Sequence, residues 1–98
     1  MRPSIPHISC YCNRTKYENA IRLEMGTGLI LYYSYETVIG FTFDDETVVR
    51  ENDWGATTGK HMSAIGVPAS ERVPSEVFED ALAEALVAHS DEPTGMNL

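Results

Sequence analysis

Residues 54–62 gather several hydrogen-bonding and ionisable side chains within one short segment, directly after a strand-rich region. The segment holds an indole, two adjacent hydroxyls, an ammonium and an imidazole. At a helix N-terminus, free N–H groups and the helix dipole favour negative charge, so these side chains could form an anion-binding or partner-binding surface. The alternative is a tryptophan that anchors the sheet edge beside a capping threonine and two solvated side chains. The candidate residues are Trp54, Thr57, Thr58, Lys60 and His61.

A histidine and two thiols, His7, Cys10 and Cys12, lie close together near the N-terminus. They could bind zinc with His61 or an acid as the fourth ligand, but the usual paired Cys-x-x-Cys spacing is missing. Nucleophilic catalysis would need a thiol or serine beside a histidine, yet neither a nucleophile elbow nor a glycine-rich phosphate loop is present. We therefore predict two half-buried cysteines in an edge strand, no cofactor and no enzyme activity. A small zinc or thiol enzyme stays open as an alternative. Its nucleophile would be Cys10 or Cys12, or else Ser34 or Ser63, beside His61 or His7.

The chain is short and acidic, with 98 residues and a formal net charge of -8. The charge is concentrated near the C-terminus, where the residues after position 70 include seven acids and one base. General electrostatic binding of DNA needs a basic surface, so this composition argues against it. It favours a basic protein partner or mimicry of a polyanion.

Four of the C-terminal acids have the spacing i, i+3, i+4 and i+8, which places them along one side of a predicted helix. Carboxylates with this spacing could imitate a row of phosphates and bind the basic surface of a partner. The alternative is a solvated face that only keeps the protein in solution. The four residues are Glu76, Glu79, Asp80 and Glu84.

Alternating apolar and polar residues predict an antiparallel meander of three or four strands. Ile21 and Leu23, for example, alternate with charged residues at the period of 2 that is typical of a strand with one buried face. The third strand is expected to place Ile39, Phe41 and Phe43 on one face. The strands are predicted over 20–25, 29–34, 37–43 and 47–51, in a sheet region over 19–52 that follows an irregular segment over 1–18.

Two helices are predicted after the sheet. A hydroxyl of Thr57 or Thr58 would cap a short helix over 57–65, which Gly66 would end. An acidic helix over 74–89 precedes a frayed tail over 90–98. Packing its apolar face on the sheet gives a single two-layer α+β domain over 1–98. That face is predicted to consist of Phe78, Ala81, Leu82, Ala85, Leu86 and His89.

Tyrosines near the end of the second predicted strand add an aromatic group to these candidates. Tyr33 and Tyr35, together with Trp54, could stack on bases or form an interaction hot spot. Stacking on nucleic acid usually comes with basic neighbours, which are few here, so a protein interface is favoured. An open sheet also leaves two unpaired edges, which makes a homodimer plausible.

Three segments resemble a family of short uncharacterised proteins that is common in bacteriophage genomes. Residues 20–23 read AIRL, residues 33–40 read YSYETVIG and residues 54–62 read WGATTGKHM. Members of that family look alike in an S-Y-x-T-x-V-A strand and a W-x-x-T-T-x-K-H-I segment. The similarity covers roughly residues 19–65 and departs at 39–40 and at Gly59, where serine is common. It implies a viral origin, a shared polar site at Thr57, Thr58, Lys60 and His61, and an acidic helix outside the similar region.

Together these features predict a small, acidic, non-enzymatic binding protein of phage type. We expect it to inhibit or modulate a host nucleic-acid-processing or defence complex, as an anti-CRISPR-like inhibitor or a DNA mimic would. The alternative is a nucleic-acid-associated module that uses residues 57–61. No apolar run is long enough to span a membrane, and the N-terminus lacks the apolar region of a signal peptide, so we expect a cytoplasmic location in the host cell.

Overall fold

A computed structural model describes residues 6–12, 19–26 and 28–90 and has an α+β fold, as predicted. Its sheet contains five antiparallel strands in chain order, one more than the predicted maximum. The additional strand is β1, an edge strand that holds Cys10, as predicted for the cysteine segment; it pairs with β2 from His7 opposite Glu24 to Cys10 opposite Ile21. The predicted irregular segment over 1–18 therefore contains a strand. Residues 1–5 and 13–18 lie outside the described residues, and so does the predicted tail over 91–98. The elements are β1 His7–Cys10, β2 Ala20–Glu24, β3 Ile30–Ser34, β4 Thr37–Phe43, β5 Glu46–Val49, α1 Ala56–Ile65, a 3₁₀ turn at Ala69–Glu71 and α2 Ser75–Ser90.

A β-bulge between β3 and β4 decides which residues face each side of the sheet. Tyr32 lies opposite Gly40 but Tyr33 lies opposite Val38, so Ile39 is an extra residue in β4. The extra residue reverses the inside-outside alternation. Ile39 consequently packs in a different core cluster from Phe41, and the prediction that they share one face is wrong.

The two helices cover opposite faces of the sheet. On one face, α2 buries Phe78 against Leu31 and Phe41. On the other face, α1 buries Met62 in a second cluster. Two buried strand residues complete this cluster, and two partly buried residues at the end of α1 and just after it pack against its side. The predicted packing of the long helix on the sheet is thus present, but α1 adds a third layer. The second cluster contains Ile39, Val49, Met62, Ile65 and Val67.

Gly40 lets α1 approach β4 closely. A Cβ atom at this position would lie 3.1 Å from Val49 Cγ2 and 3.2 Å from Ile65 Cδ1, which is tighter than ordinary packing. The absence of a side chain at residue 40 therefore helps to place α1, and with it Thr58 and His61, against the end of β3.

The ends of α1 agree only partly with the prediction. Its N-cap is Gly55 and no side chain caps the helix, because the helix begins at Ala56 and Thr57 and Thr58 therefore lie inside its first turn. The predicted threonine cap is therefore wrong. The helix ends, as predicted, at Gly66, whose φ of 101° suits glycine.

The apolar face of α2 is narrower than predicted. Phe78 and Ala85 are buried and Ala81 and Leu82 are half-buried, but Leu86 is 41% exposed. At 100° per residue, Leu86 is turned about 80° away from Phe78, near the boundary of the buried stripe. Within the described part of the chain, no helix is long and apolar enough to cross a membrane.

Candidate binding surface

Three polar side chains meet in the layer between α1 and the sheet. Ser34 Oγ lies 2.7 Å from His61 Nδ1 and 3.1 Å from Thr58 Oγ1, within hydrogen-bonding distance of both. All three residues are buried, and His61 is completely so. We call Ser34, Thr58 and His61 the hydroxyl–imidazole cluster. Its hydrogen bonds compensate for the burial of polar groups, and they join the end of β3 to the middle of α1.

The side chains of segment 54–62 differ in their exposure to solvent. Thr58 and His61 point into the protein, Thr57 is half-buried, and Lys60 and Trp54 are exposed. Neither of the two sequence interpretations described His61 correctly, because both left it at the surface. The spacing of Thr58, His61, Met62 and Ile65 at i, i+3, i+4 and i+7 is the signal that could have revealed a buried helix face.

A small pocket opens beside the cluster. Its volume is about 140 Å³, and hydroxyl, aliphatic and aromatic groups line it. Trp54 also packs against the guanidinium of Arg50, whose Cζ lies 4.7 Å from the ring centroid. Arg50 in turn forms an ion pair of 3.1 Å with Asp53. Trp54 is thus held in place while almost half of it stays exposed. The pocket is lined by Ser34, Tyr35, Thr37, Ile39, Trp54 and Thr58.

The two tyrosines proposed for binding have different surroundings. Tyr35 lies in the turn after β3 with about half of its surface exposed, and its ring centroid is 6.0 Å from that of His61. Tyr33 is half-buried against the core that α2 covers. Its carbonyl accepts a 2.7 Å hydrogen bond from the Tyr11 hydroxyl, and burial raises the pKa of Tyr11 above its ordinary value. Tyr35 can therefore contribute to a surface, whereas Tyr33 mainly supports the core.

The predicted metal and thiol residues do not form a common site. Cys10 is exposed in β1, whereas Cys12 is buried beyond the end of that strand, with its Sγ 4.0 Å from the carbonyl of Lys60. The two thiols are therefore not the half-buried pair that was predicted. Among the described residues, no three His, Cys, Asp or Glu side chains come together as metal ligands would.

The carboxylates of α2 are exposed and have no ion-pair partners among the residues that the structure describes. Glu76, Glu79 and Asp80, which we call the acidic face, all lie at the surface together with Glu84. The ion pairs among the described residues lie outside α2: Arg22 pairs with Glu24, and Arg50 pairs with Asp53. The charge of α2 is thus not neutralised by the described part of the chain.

A groove that the sequence did not reveal runs between α2 and the β4–β5 hairpin. Its volume is about 310 Å³. One wall consists of small helix residues, the other of strand residues, and three acids lie at its border. We call it the α2–β5 groove. The lining residues are Ala81, Ala85 and Ala88 from α2, Phe41, Phe43 and Val48 from the strands, and the acids Asp44, Glu46 and Glu84.

The buried imidazole predicts a pH dependence of stability. Burial disfavours the charged form, so it lowers the pKa of His61 below the ordinary value of 6.5. Below about pH 6.5 the unfolded chain then binds more protons than the folded protein, and the free energy of unfolding falls as the pH decreases. The contribution of one such group is at most about 1.4 kcal/mol per pH unit.

Urea unfolding at several values between pH 7.5 and pH 5, where histidines titrate, would measure how the free energy of unfolding changes with pH. His61→Gln should lose part of the slope that the wild-type protein shows. Equal slopes in the wild-type protein and His61→Gln would contradict the assignment.

Comparison with known proteins gives one family and no function. The model of DUF8033, a family of unknown function, matches residues 8–80. The matched range includes the residues of roughly 19–65 that carried the resemblance, and it also contains the acidic face. Glu84 and the remainder of α2 follow the matched range. The chain matches no curated protein and no solved structure.

Proposed function

The chain belongs to DUF8033, a family of unknown function, and we propose that it acts by binding a basic protein, without catalysis. The observation that carries this proposal is the exposed acidic face of α2, which forms no ion pair with any described residue. Glu76, Glu79 and Asp80 lie within about 6 Å of one another along the helix axis. Their mutual repulsion is relieved when a partner supplies positive charge.

The most suitable partners are host proteins that handle nucleic acids, because their binding sites are already basic. A row of carboxylates on a rigid helix would occupy such a site as phosphates do. We propose that the protein is of phage origin and inhibits a nucleic-acid-processing or defence complex in the host cytoplasm. The net charge of -8 supports this role over direct nucleic-acid binding. Burial of Thr58 and His61 also removes two of the side chains that a nucleic-acid surface over 57–61 would need.

The test is capture of a partner from nuclease-treated host lysate, followed by affinity measurements with the purified partner. The variant Glu76→Lys/Glu79→Lys/Asp80→Lys changes the net charge by +6. A matched control, Glu36→Lys/Glu51→Lys/Glu71→Lys, makes the same change at exposed positions outside α2. We expect the first variant to weaken binding at least about tenfold, since loss of a charge complementary to the partner is compounded by repulsion.

The control variant should retain most of the affinity, and circular dichroism should show that both variants are folded. Equal losses in the two variants would mean that binding follows overall charge and not the acidic face. A captured partner without a basic surface would also contradict the proposal.

A further inference from the structure

We infer that the α2–β5 groove is the docking site for a basic amphipathic helix of the partner protein. This inference rests on the proposed function and specifies the partner's chemistry. It uses a surface next to the acidic face but different from it. Of the four acids of α2, only Glu84 borders the groove.

The walls of the groove suit a helix. Ala81, Ala85 and Ala88 follow the spacing i, i+4 and i+7, so they form one stripe along α2. Short side chains on this stripe allow another helix axis to approach closely. Phe43 and Val48 form the opposite wall and are only half-buried, so an occupant would remove further apolar surface from water.

The border of the groove determines the charge of the occupant. Asp44 and Glu46 lie on the hairpin side and Glu84 on the helix side, so acids border the apolar floor on both sides. None of these three acids takes part in an ion pair within the described residues. A helix with apolar residues at its centre and lysines or arginines along its flanks is complementary to this pattern.

The same charges argue against two other occupants. A second copy of the chain would bring another net charge of -8 to an acidic border. The chain's own C-terminal residues 91–98 include Asp91 and Glu92 and no base. Both would meet like charge at the groove, and like-charge contacts are unfavourable.

Binding of designed peptides tests the inference without knowledge of the natural partner. The probe is a fluorescent helical peptide of leucines and lysines with leucines at i, i+3, i+4 and i+7. One control peptide has the same composition in an order that disperses the leucines, and a second has glutamate in place of lysine. Fluorescence anisotropy should show binding of the first peptide only.

A matched pair of protein variants tests the location. Ala88→Trp fills the groove from an exposed position, and Ala64→Trp places the same side chain at an exposed position of α1, on the other side of the sheet. We expect Ala88→Trp to weaken binding of the amphipathic peptide by about tenfold or more, as blocking a central pocket does, and Ala64→Trp to leave it unchanged. Glu46→Lys/Glu84→Lys should weaken it as well and reduce its salt dependence.

Three results would overturn the inference: equal binding of the dispersed peptide, unchanged binding to Ala88→Trp, or a homodimer in gel filtration that Ala88→Trp dissociates. The natural partner separates this inference from the proposed function. If capture fails with Glu76→Lys/Glu79→Lys/Asp80→Lys but persists with Ala88→Trp, the acidic face binds the partner and the groove does not. If no basic partner is bound but the amphipathic peptide is, the groove does bind a basic amphipathic helix, and it is the proposed function that fails.

Discussion

Replacing Phe78 by alanine should lower the free energy of unfolding by about 3–5 kcal/mol. Phe78 is 1% exposed and lies between α2 and the sheet, with its ring centroid 5.6 Å from that of Phe41. The truncation removes a large apolar side chain and leaves a cavity, which the strand residues can close only in part. The cavity would also adjoin Arg50, whose guanidinium carbon lies 5.8 Å from the Phe78 ring centroid.

Urea unfolding of the wild-type protein and the variant measures this change. Val77→Ala is the matched control, because Val77 is the neighbouring residue on the exposed side of α2. The control should change stability by no more than about 0.5 kcal/mol, as is usual for surface substitutions. Since domains of this kind are stable by only about 5–15 kcal/mol, Phe78→Ala would remove a large part of the total. A loss below about 1 kcal/mol would mean that α2 is not packed on this face as described.

The sequence predicts those parts of the fold that depend on local pattern. Ile21 and Leu23 alternate with charged residues and lie in β2, and Gly66 ends α1 because its positive φ suits glycine. Phe78 and Ala85 are seven residues apart, close to two helical turns, and both are buried. In each case the neighbouring residues suffice to specify the conformation.

The remaining features depend on how different strands and helices pair and pack with one another. The bulge at Ile39 is defined only by how β3 pairs with β4, and alternation within β4 alone gives the wrong face. Ser34 and His61 are 27 positions apart, so nothing local indicates their hydrogen bond. The amphipathic pattern of a helix shows that it has a face to bury, but it does not show which side of the sheet will receive that face. The third layer and the α2–β5 groove follow from that choice.

Met62→Ala tests this third layer and should cost about 2–5 kcal/mol. Met62 is completely buried between α1 and the sheet, where it packs with Ile39 and Val49. Its Sδ also lies 3.8 Å from the guanidinium Nη1 of Arg72. Met62→Leu is the volume-conserving control and should cost less than about 1.5 kcal/mol.

The stability of the double variant Phe78→Ala/Met62→Ala distinguishes a three-layer arrangement from a two-layer one. Because Phe78 and Met62 pack in different clusters on opposite faces, their effects should add to within about 0.5 kcal/mol. The unfolding curves of all four proteins can be compared in sucrose, which stabilises folded proteins generally and keeps the double variant measurable. A coupling energy above about 1 kcal/mol would indicate that the two side chains share one core, as residues in direct contact do. The sheet would then be covered on one face only, and α1 would have to lie beside α2.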